Sequence, residues 1–310
     1  MDSLNRMAIE LADEALDFAE ELNVGAFELE NGATVIDFGI DFAGGIEAGL
    51  LLTELQTAGL ATVQTRMDTV ASTPIPHVEL ATDRPALALL GSQKAGWELS
   101  VDGFEGLGSG PARSLVADEE EFRAIEYTDT FDLTVVAVET DRLPTVQVAD
   151  EIADRTGVNP EGVYIAAFPT ASIAGSVSIA ARAAELAMFR LFELGYDPTN
   201  VLTASGSAPM APIPATEEAA MGRTNDAIAY GGQVHLTVAE DDDVLSDLSS
   251  TATDAYGMPF LDVFESVDWD LQSVSPDVFA PAAVTVDVVG GPTYAHGDRD
   301  DDLLAESFGL

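Results

Sequence analysis

The sequence of 310 residues contains no cysteine and only one lysine, Lys94. Without cysteine the chain can form neither disulfide bonds nor thiolate metal sites, and cysteine catalysis is excluded. No segment approaches the roughly 18 uninterrupted apolar residues that a membrane-spanning helix needs. Basic residues are also scarce, at 12 against 55 acidic ones, whereas nucleic-acid binding requires a basic surface. We therefore expect a protein that binds neither nucleic acid nor a membrane.

The formal net charge of −43 is spread along the chain rather than gathered in a tail. Such acidity with almost no lysine indicates adaptation to molar salt, where a Debye length of about 3 Å screens self-repulsion. The alternative is an acidic interaction protein at ordinary salt. Apolar residues make up 47% of the sequence, which is enough for a core and excludes a disordered acidic chain. Because the chain starts with an acidic amphipathic helix rather than a basic signal peptide, we expect a cytoplasmic protein.

Helical and extended segments alternate along the chain, which is typical of a mixed α/β architecture. Asn31-Gly32 lies between two β-rich runs and predicts a hairpin. The other predicted elements are helices at 1–23, 47–57, 84–95, 148–155 and 176–196, and strands at 60–65, 131–139, 163–167 and 280–289.

A weak internal repeat relates residues 85–112 to residues 182–211. In each copy a helix ends in glycine and an aromatic residue, an extended run leads to a turn of small residues, and an acidic helix start and a strand follow. The alternative is coincidence of a common helix-glycine-strand order. The repeat predicts two α/β domains, at 1–148 and 149–310, whose segments can be intertwined and which enclose a substrate cleft.

The segment from Ser176 to Tyr196 carries the pattern with the clearest chemical meaning. Its middle is apolar except for Arg182 and Glu185, which are three residues apart and share one helical face. Four alanines flank the pair, so another surface or a ligand can approach closely. Because a desolvated ion pair is a poor source of stability, paired charges in apolar surroundings are candidate catalytic groups. The alternative is a structural ion pair at a helix–helix contact.

Small and polar residues near predicted strand ends are further candidates. The predicted turns GLGSGPAR and ASGSAPMAP allow close backbone approach and expose amide groups, although ordinary tight turns are the alternative. GLGSGP lacks the last glycine of a dinucleotide fingerprint. The segment after residue 167 places polar residues at the carboxyl end of a strand, the usual ligand edge. MGRTND is either a binding segment or a polar helix end. Lys94 and Arg113 suit an anionic part of a substrate.

Eight blocks follow one another with compatible spacing over nearly the whole chain: ELENGATVIDFG, AGGIEAGLLLTE, QKAGW, GSGPAR, PTASIAGSVSIAAR, MGRTND, YGG and ESFGL. Together they resemble the methenyltetrahydromethanopterin cyclohydrolase family. The resemblance implies a two-domain α/β hydrolase of archaeal one-carbon metabolism, homo-oligomeric and typically trimeric. It also implies hydrolysis of the N5,N10-methenyl bridge of tetrahydromethanopterin to the N5-formyl derivative, without a metal or redox cofactor.

The resemblance assigns roles to individual residues as well. The family's catalytic arginine and glutamate correspond to Arg182 and Glu185. Methenyltetrahydrofolate as the substrate and a non-catalytic pterin-binding protein remain alternatives, and we expect no metal ligands. The residues expected to contact the substrate are Gln93, Lys94, Ser109, Gly110, Arg113, Thr170, Ser172, Ser207, Ala208, Arg223, Thr224, Asn225 and Asp226.

Overall fold

The computed structural model describes residues 3–254, 256–269 and 273–310. Within that part of the chain there are two six-stranded sheets, each packed against helices and each mixing parallel and antiparallel pairs. This arrangement confirms the predicted mixed α/β fold. Among the same residues, no helix combines the length and the apolar character needed to cross a bilayer.

The elements are numbered in chain order. The strands are β1 (Gly25–Glu28), β2 (Thr34–Asp37), β3 (Thr62–Val70), β4 (Thr73–Thr82), β5 (Trp97–Val101), β6 (Phe104–Ser109), β7 (Thr134–Glu139), β8 (Val163–Phe168), β9 (Val201–Pro209), β10 (Gln233–Val238), β11 (Ala283–Val288) and β12 (Thr293–Gly297). The α-helices are α1 (Leu4–Asp17), α2 (Ala19–Leu22), α3 (Ile46–Gln56), α4 (Arg113–Val116), α5 (Glu120–Ala124), α6 (Val146–Thr156), α7 (Ile173–Ala180), α8 (Ala183–Glu193), α9 (Glu217–Gly231), α10 (Phe260–Ser266) and α11 (Asp301–Phe308), and a π-helical segment spans Ala86–Gln93.

The first sheet has the strand order β1-β2-β8-β7-β6-β5. Its central strands β2, β8 and β7 are parallel, and β1, β6 and β5 add antiparallel pairs at the edges. Strand β7 is buried on both faces because helices cover both sides of the sheet. Val135 belongs to the core formed with α1 and α3, whereas Val136 belongs to the core formed with α6.

The second sheet has the strand order β12-β11-β10-β9-β4-β3. Strands β10 and β11 are parallel, and β9 pairs antiparallel with both β10 and β4. Helix α8 packs on β9 and β10, and the face that includes Ala204 and Leu236 is fully buried. Alternate residues such as Ser205 and His235 point to the opposite, more accessible face. The sheet is therefore apolar on the side of α8 and polar on the other.

Helices α9, α10 and α11 form a separate apolar cluster in the same half of the chain. Its aromatic members include Tyr230, Phe260 and Phe264, and the rings of Phe260 and Phe264 meet edge to face at 5.6 Å. Leu304 and Phe308 of α11 are buried in the same cluster. The last helix is thus attached to the fold by its apolar face.

Most predicted elements are confirmed, including the hairpin at Asn31-Gly32 that joins β1 to β2. The continuous helix predicted at 176–196 is wrong, because α7 ends at Ala180 and α8 begins at Ala183. Between them the amide of Arg182 donates to Ile179 O at 2.9 Å, a three-residue step that tightens the turn. A run of small, apolar residues is compatible with a continuous helix and with two successive helices, so its periodicity does not reveal this break.

Contacts divide the chain into two compact units, each made of two segments. The hairpin β3–β4 belongs to the second unit because β4 pairs with β9. Helix α6 and strand β8 remain with the first unit, since β8 pairs with both β2 and β7. This division differs from the predicted boundary between residues 148 and 149. The first unit consists of Met1–Thr62 and Leu87–Ser178, and the second of Val63–Ala86 and Ile179–Leu310.

The two units share part of their strand order. In the first, β6 is antiparallel to β7 and β7 is parallel to β8. In the second, β9 is antiparallel to β10 and β10 is parallel to β11. Duplication of one α/β unit would produce such a shared order, and the duplication itself stays a prediction. The copies differ because the extended run is a hairpin, β5–β6, in the first unit but a single strand, β9, in the second.

Candidate active site

Arg182 and Glu185 lie where α7 gives way to α8. Arg182 is the residue before α8, with φ −87° and ψ 0°, and Glu185 is in the first turn. Arg182 Nη1 is 3.7 Å from Glu185 Oε2, and the two side chains are 13% and 2% exposed. An acidic side chain in the first turn of a helix is stabilised by the helix dipole. The helix start and the arginine therefore both hold this carboxylate in place.

The surroundings of the pair consist of small residues, as the sequence indicates. The four flanking alanines are each at most 2% exposed. Gly206 of β9 packs directly against α8, and a Cβ at this position would lie 2.8 Å from the amide nitrogen of Ala184. A side chain here would push the helix away from the sheet. Gly206 therefore sets the position of the pair, and it is missing from the predicted site residues although it lies in the ASGSAP block.

Ser207 and Ala208 belong to β9, which continues to Pro209, so the turn predicted at these residues is wrong. Successive residues of a strand face opposite sides of the sheet. Ala208 shares the face of Gly206 and is fully buried, whereas Ser207 points to the other face. The Ser207 hydroxyl oxygen is buried without a hydrogen-bond partner among the residues that the structure describes. Only one of the two side chains can thus contact a ligand on a given face.

The MGRTND block lies inside α9 rather than in a loop. Four consecutive residues point around a helix in steps of about 100°, so these side chains cannot all face one ligand. Thr224 and Asn225 each donate a hydrogen bond of 2.8 Å to the carbonyl one turn earlier. Arg223 Nη1 donates to Pro212 O at 3.2 Å. These three side chains therefore have partners within their own unit.

Asp226 is a buried carboxylate that connects three helices. It accepts hydrogen bonds from Phe260 N at 2.9 Å and from Ser307 Oγ at 2.6 Å. Phe260 is the first residue of α10, so the carboxylate caps that helix from α9. Burial raises the pKa of Asp226 to about 6 against the two hydrogen bonds, and the negative charge of Asp262 adds to the rise. These contacts give Asp226 a structural role, and its contact with substrate stays a prediction.

In the first unit, predicted residues meet at the end of the π-helical segment. Gln93 is its last residue and is fully buried, and Lys94 follows it. The amide of Lys94 donates to Leu89 O at 2.8 Å, five residues back, as in a π-helix. The amide of Gly110, which follows β6, donates to Ser92 O at 2.8 Å. The structure thus brings Gln93, Lys94 and Gly110 together.

Ser109 and Arg113 contact the same region. Gln56 Nε2 donates to Ser109 Oγ at 3.2 Å. Arg113 is fully buried, and its Nη1 donates to Lys94 O at 2.7 Å. Its Nε donates to Glu119 Oε1 at 2.8 Å, and its Nη2 pairs with the second oxygen of that carboxylate. The Arg113 guanidinium is therefore engaged with protein atoms.

Lys94 belongs to the same cluster of charges. Its Nζ is 3.2 Å from Glu119 Oε2 and 2.7 Å from Glu121 Oε1. Burial alone would raise the pKa of Glu119, but the hydrogen bond and charge of Arg113, together with Lys94, outweigh it and lower that pKa. Two cations and two carboxylates thus balance one another. The sequence placed Lys94 and Arg113 near a site but did not identify Glu119 as their common partner.

Thr170 and Ser172 follow β8 at the carboxyl edge of the parallel strands, as predicted. Thr170 Oγ1 donates to the carboxylate of Glu139, the last residue of β7. Ser172 Oγ accepts from Gly175 N at 2.9 Å and so caps the start of α7. Ser109 pairs with Ala137, two residues before β7 ends at Glu139, so Ser109 lies farther from the carboxyl edge of the sheet than Thr170 does.

Two acidic residues at this edge were not among the predicted site residues. Asp37 ends β2 and accepts hydrogen bonds of 2.6–3.3 Å from the four successive amides of residues 39–42. Glu139 ends β7 and accepts from Thr170. Both end an apolar strand, which is the signal that could have revealed them. Within the described ranges, no group of three or more histidine, aspartate or glutamate side chains is placed to hold a metal ion.

Comparison with known proteins agrees with the blocks in the sequence. The profile of the family described as Cyclohydrolase (MCH) matches residues 3–308. Proteins named methenyltetrahydromethanopterin cyclohydrolase from two strains of Halobacterium salinarum are each 61% identical over 310 residues, which cover both chains completely. The protein of that name from Methanothermobacter marburgensis is 40% identical over 320 residues, again over the full length of both chains. The chain therefore belongs to the Cyclohydrolase (MCH) family.

Proposed function

We propose that this chain is a methenyltetrahydromethanopterin cyclohydrolase, an enzyme that hydrolyses the N5,N10-methenyl bridge to give the N5-formyl derivative. The observation that carries the proposal is the Arg182–Glu185 pair at the start of α8, with Arg182 Nη1 3.7 Å from Glu185 Oε2 and side chains only 13% and 2% exposed. Relatives that match over their full length carry the same activity in their names.

Glu185 acts on water in this mechanism. The methenyl carbon bridges two nitrogens and carries delocalised positive charge, so it is an electrophile that water can attack. Glu185 removes a proton from the attacking water, while its negative charge stabilises the cationic substrate. A tetrahedral adduct forms at the former methenyl carbon. Glu185 then returns the proton to N10, the N10–C bond breaks as the hydroxyl of the adduct loses its proton to solvent and becomes the carbonyl, and the formyl group stays on N5.

Arg182 positions the Glu185 carboxylate and stabilises the oxygen of the tetrahedral adduct. Its guanidinium lies 3.7 Å from the Glu185 carboxylate and favours its charged form, and its positive charge stabilises the oxygen of the tetrahedral adduct. Gly206 lets α8 lie close to β9, so that both side chains start from a fixed backbone. Preorganised donors of this kind lower a barrier because they do not have to reorient during the reaction.

The substrate contacts also remain proposals, and the structure ranks them. Ser207 has a buried hydroxyl without a partner among the described residues, which makes it able to donate to a ligand. Arg113 and Asp226 already bind protein atoms and are weaker candidates for direct contact. Within the first unit the fold gathers Gln93, Lys94 and Gly110 at one place, and we favour Gln93 and Gly110 because Lys94 already pairs with Glu119 and Glu121.

We also propose a homotrimer that works in the cytoplasm of a salt-adapted archaeon and needs no metal or redox cofactor. The carboxylate excess of the sequence supports salt adaptation, because molar salt screens the repulsion among these charges. Sedimentation in molar potassium chloride measures the number of subunits. Dialysis against a chelator should leave activity unchanged, and loss of activity that an added metal restores would contradict the proposal.

The direct test is the near-ultraviolet absorbance of a methenyl pterin mixed with the pure protein in molar potassium chloride. The methanopterin and folate forms are measured side by side. We expect rapid loss of the methenyl band with the methanopterin form. Preference for the folate form would reassign the carrier. A band that persists in both mixtures while the ligand binds would replace the enzyme by a pterin-binding protein.

A further inference from the structure

We propose that Arg113 is a positioning residue that fixes the end of the π-helical segment, and through it Gln93 and Lys94, for the reaction. The inference deepens the proposed function, on which it rests, because Gln93 and Lys94 are predicted substrate contacts. It replaces the predicted direct contact between Arg113 and the substrate. The side chain is 0% exposed, so it acts on the reaction through its neighbours.

The Arg113 guanidinium binds carbonyl groups at the end of the π-helical segment, where the helix itself supplies no further amide donors, although the amide of Gly110 also donates to Ser92 O. Nη1 donates to Lys94 O at 2.7 Å and lies 3.3 Å from Leu90 O and 3.4 Å from Ser92 O. These carbonyls cover the last turn of the segment and the residue after it. The arginine therefore caps the end of the segment at which Gln93 and Lys94 lie.

Arg113 is itself held in one orientation. Glu119 binds its Nε at 2.8 Å and its Nη2 as well, which is the bidentate arrangement that a planar fork permits. The guanidinium carbon lies 5.4 Å from the centre of the Phe122 ring. Gly96 allows this packing, because a Cβ there would be 3.0 Å from Glu119 Oε2 and 3.4 Å from Arg113 Nε. The cap is thus a rigid group.

The other side of the segment is held as well. Ser92 Oγ donates to Gln56 O at 2.6 Å, and Gln56 Oε1 accepts from Ser178 Oγ at 2.8 Å. π-Helical segments are rare and frequently occur at functional sites. Lys94 is fixed at both ends, since its carbonyl binds Arg113 and its ammonium group binds Glu119 and Glu121. A change at Arg113 would release the backbone on which both predicted contacts depend.

Replacement of Arg113 tests this inference. Arg113→Ala removes the fork, Arg113→Lys keeps the charge but not the bidentate geometry, and exposed Arg123→Gln in α5 is the control. Because a displacement of about 1 Å can cost a reaction about 100-fold, we expect kcat/KM to fall by about that factor in both Arg113 variants. Added guanidinium ion should restore part of the activity of Arg113→Ala, measured against the same concentration of sodium chloride. Wild-type kcat and KM in both variants would overturn the proposal.

Amide hydrogen exchange of residues 89–96 separates this inference from the proposed function. We expect exchange there to be at least about tenfold faster in Arg113→Lys than in the wild type, because the end of the segment opens locally. Unchanged exchange would overturn the positioning role whatever the activity. If the wild type hydrolyses no methenyl pterin, the proposed function fails, and the exchange rates still decide whether Arg113 fixes the segment. Loss of activity in proportion to the unfolded fraction, with no guanidinium rescue, would reduce Arg113 to a stabilising residue.

Discussion

Each unit contains a buried arginine–glutamate pair, and the two pairs are built differently. In the first unit, Glu119 contacts Arg113 through both carboxylate oxygens, with a distance of 2.8 Å from Nε to Oε1. In the second unit, Arg182 Nη1 and Glu185 Oε2 are 3.7 Å apart. A charge-assisted hydrogen bond between such groups is about 2.7–2.9 Å long. The first pair is joined by two hydrogen bonds, whereas the distance in the second is longer than a charge-assisted hydrogen bond.

The two pairs also differ in their surroundings, which suit a structural role for the first and a catalytic role for the second. Arg113 caps backbone carbonyl groups, and its carboxylate partner also binds Lys94, so the cluster holds a segment of chain in place. Arg182 and Glu185 lie at the start of a helix, flanked by four buried alanines. We therefore assign the first pair a structural role and the second the proposed catalytic role.

The largest expected effect is on turnover when Arg182 is replaced. Arg182→Gln should lower kcat about 100-fold, which corresponds to about 2.7 kcal/mol of transition-state stabilisation. The reason is the loss of the group that orients Glu185 and stabilises the adduct oxygen. Steady-state kinetics and thermal unfolding in molar potassium chloride measure the outcome, with Arg190→Gln in the same helix as the control. A loss that merely follows the unfolded fraction would make Arg182 a structural partner.

Glu119→Gln should mainly reduce stability. Breaking a fully buried pair costs about 3–5 kcal/mol, and because the Glu119 side chain is 22% exposed, we expect about 2–3 kcal/mol. The lowered pKa of Glu119 means that its stabilising effect is present above the ordinary pKa and is lost as pH falls through the folded value. Denaturant unfolding as a function of pH measures both, and the exposed Glu120→Gln is the control. Equal stability of the two variants would remove the structural role of the pair.

Asp226 extends the comparison, because its pKa is raised whereas the pKa of Glu119 is lowered. Its folded pKa is about 6, so between the ordinary value of 3.8 and 6 only the folded state holds the proton. The free energy of unfolding therefore increases as pH falls from 6 towards 3.8, because the folded state binds a proton there, and it decreases again as pH rises through 6. Asp226→Asn should stabilise the protein at pH 7.5 by about 1–3 kcal/mol, since each unit of pKa corresponds to 1.36 kcal/mol. Denaturant unfolding at pH 5 and pH 7.5 measures the effect, with Glu306→Gln as the control. An Asp226→Asn variant that is less stable than the wild type at pH 7.5 would contradict the prediction.

The smallest effect is expected when a methyl group is added beneath α8. Gly206→Ala would place a Cβ 2.8 Å from Ala184 N, and such overpacking costs about 1–3 kcal/mol. We expect a value at the lower end together with reduced kcat, because the helix that carries Glu185 must shift. Gly45→Ala is the matched control, since the added Cβ would have no non-neighbouring atom of the described residues within 4 Å. Wild-type kcat in Gly206→Ala would show that the close packing is not needed for the reaction.

The sequence predicts the fold well where local pattern decides it. Apolar runs identify β7 and β8, and Asn31-Gly32 identifies the first hairpin. The break before α8 and the π-helical segment are not predictable in this way. The end of the π-helical segment is bound by Arg113, some twenty residues later, and the break leaves no trace in an alanine-rich sequence.

In the candidate site, too, local pattern identifies some residues but not the roles that depend on distant partners. Arg182 and Glu185 are visible as charges in an apolar helix, and the structure places them together. The roles of Arg113 and Asp226 depend on partners far away in the chain, so residue type and spacing alone suggest ligand contact for both. The small residues around Ser207 predict a turn, because glycine and small residues are common in turns, whereas pairing with β4 and β10 keeps Ser207 in a strand.

The most direct test of the account is a single-turnover absorbance measurement on Glu185→Gln, with the variant in excess over methenyltetrahydromethanopterin in molar potassium chloride. We predict that the substrate binds to folded variant and that the methenyl band decays at least about 100-fold more slowly than with the wild type, a loss of about 2.7 kcal/mol of transition-state stabilisation. Decay at the wild-type rate from folded, substrate-bound variant would contradict the assignment of Glu185 as the base.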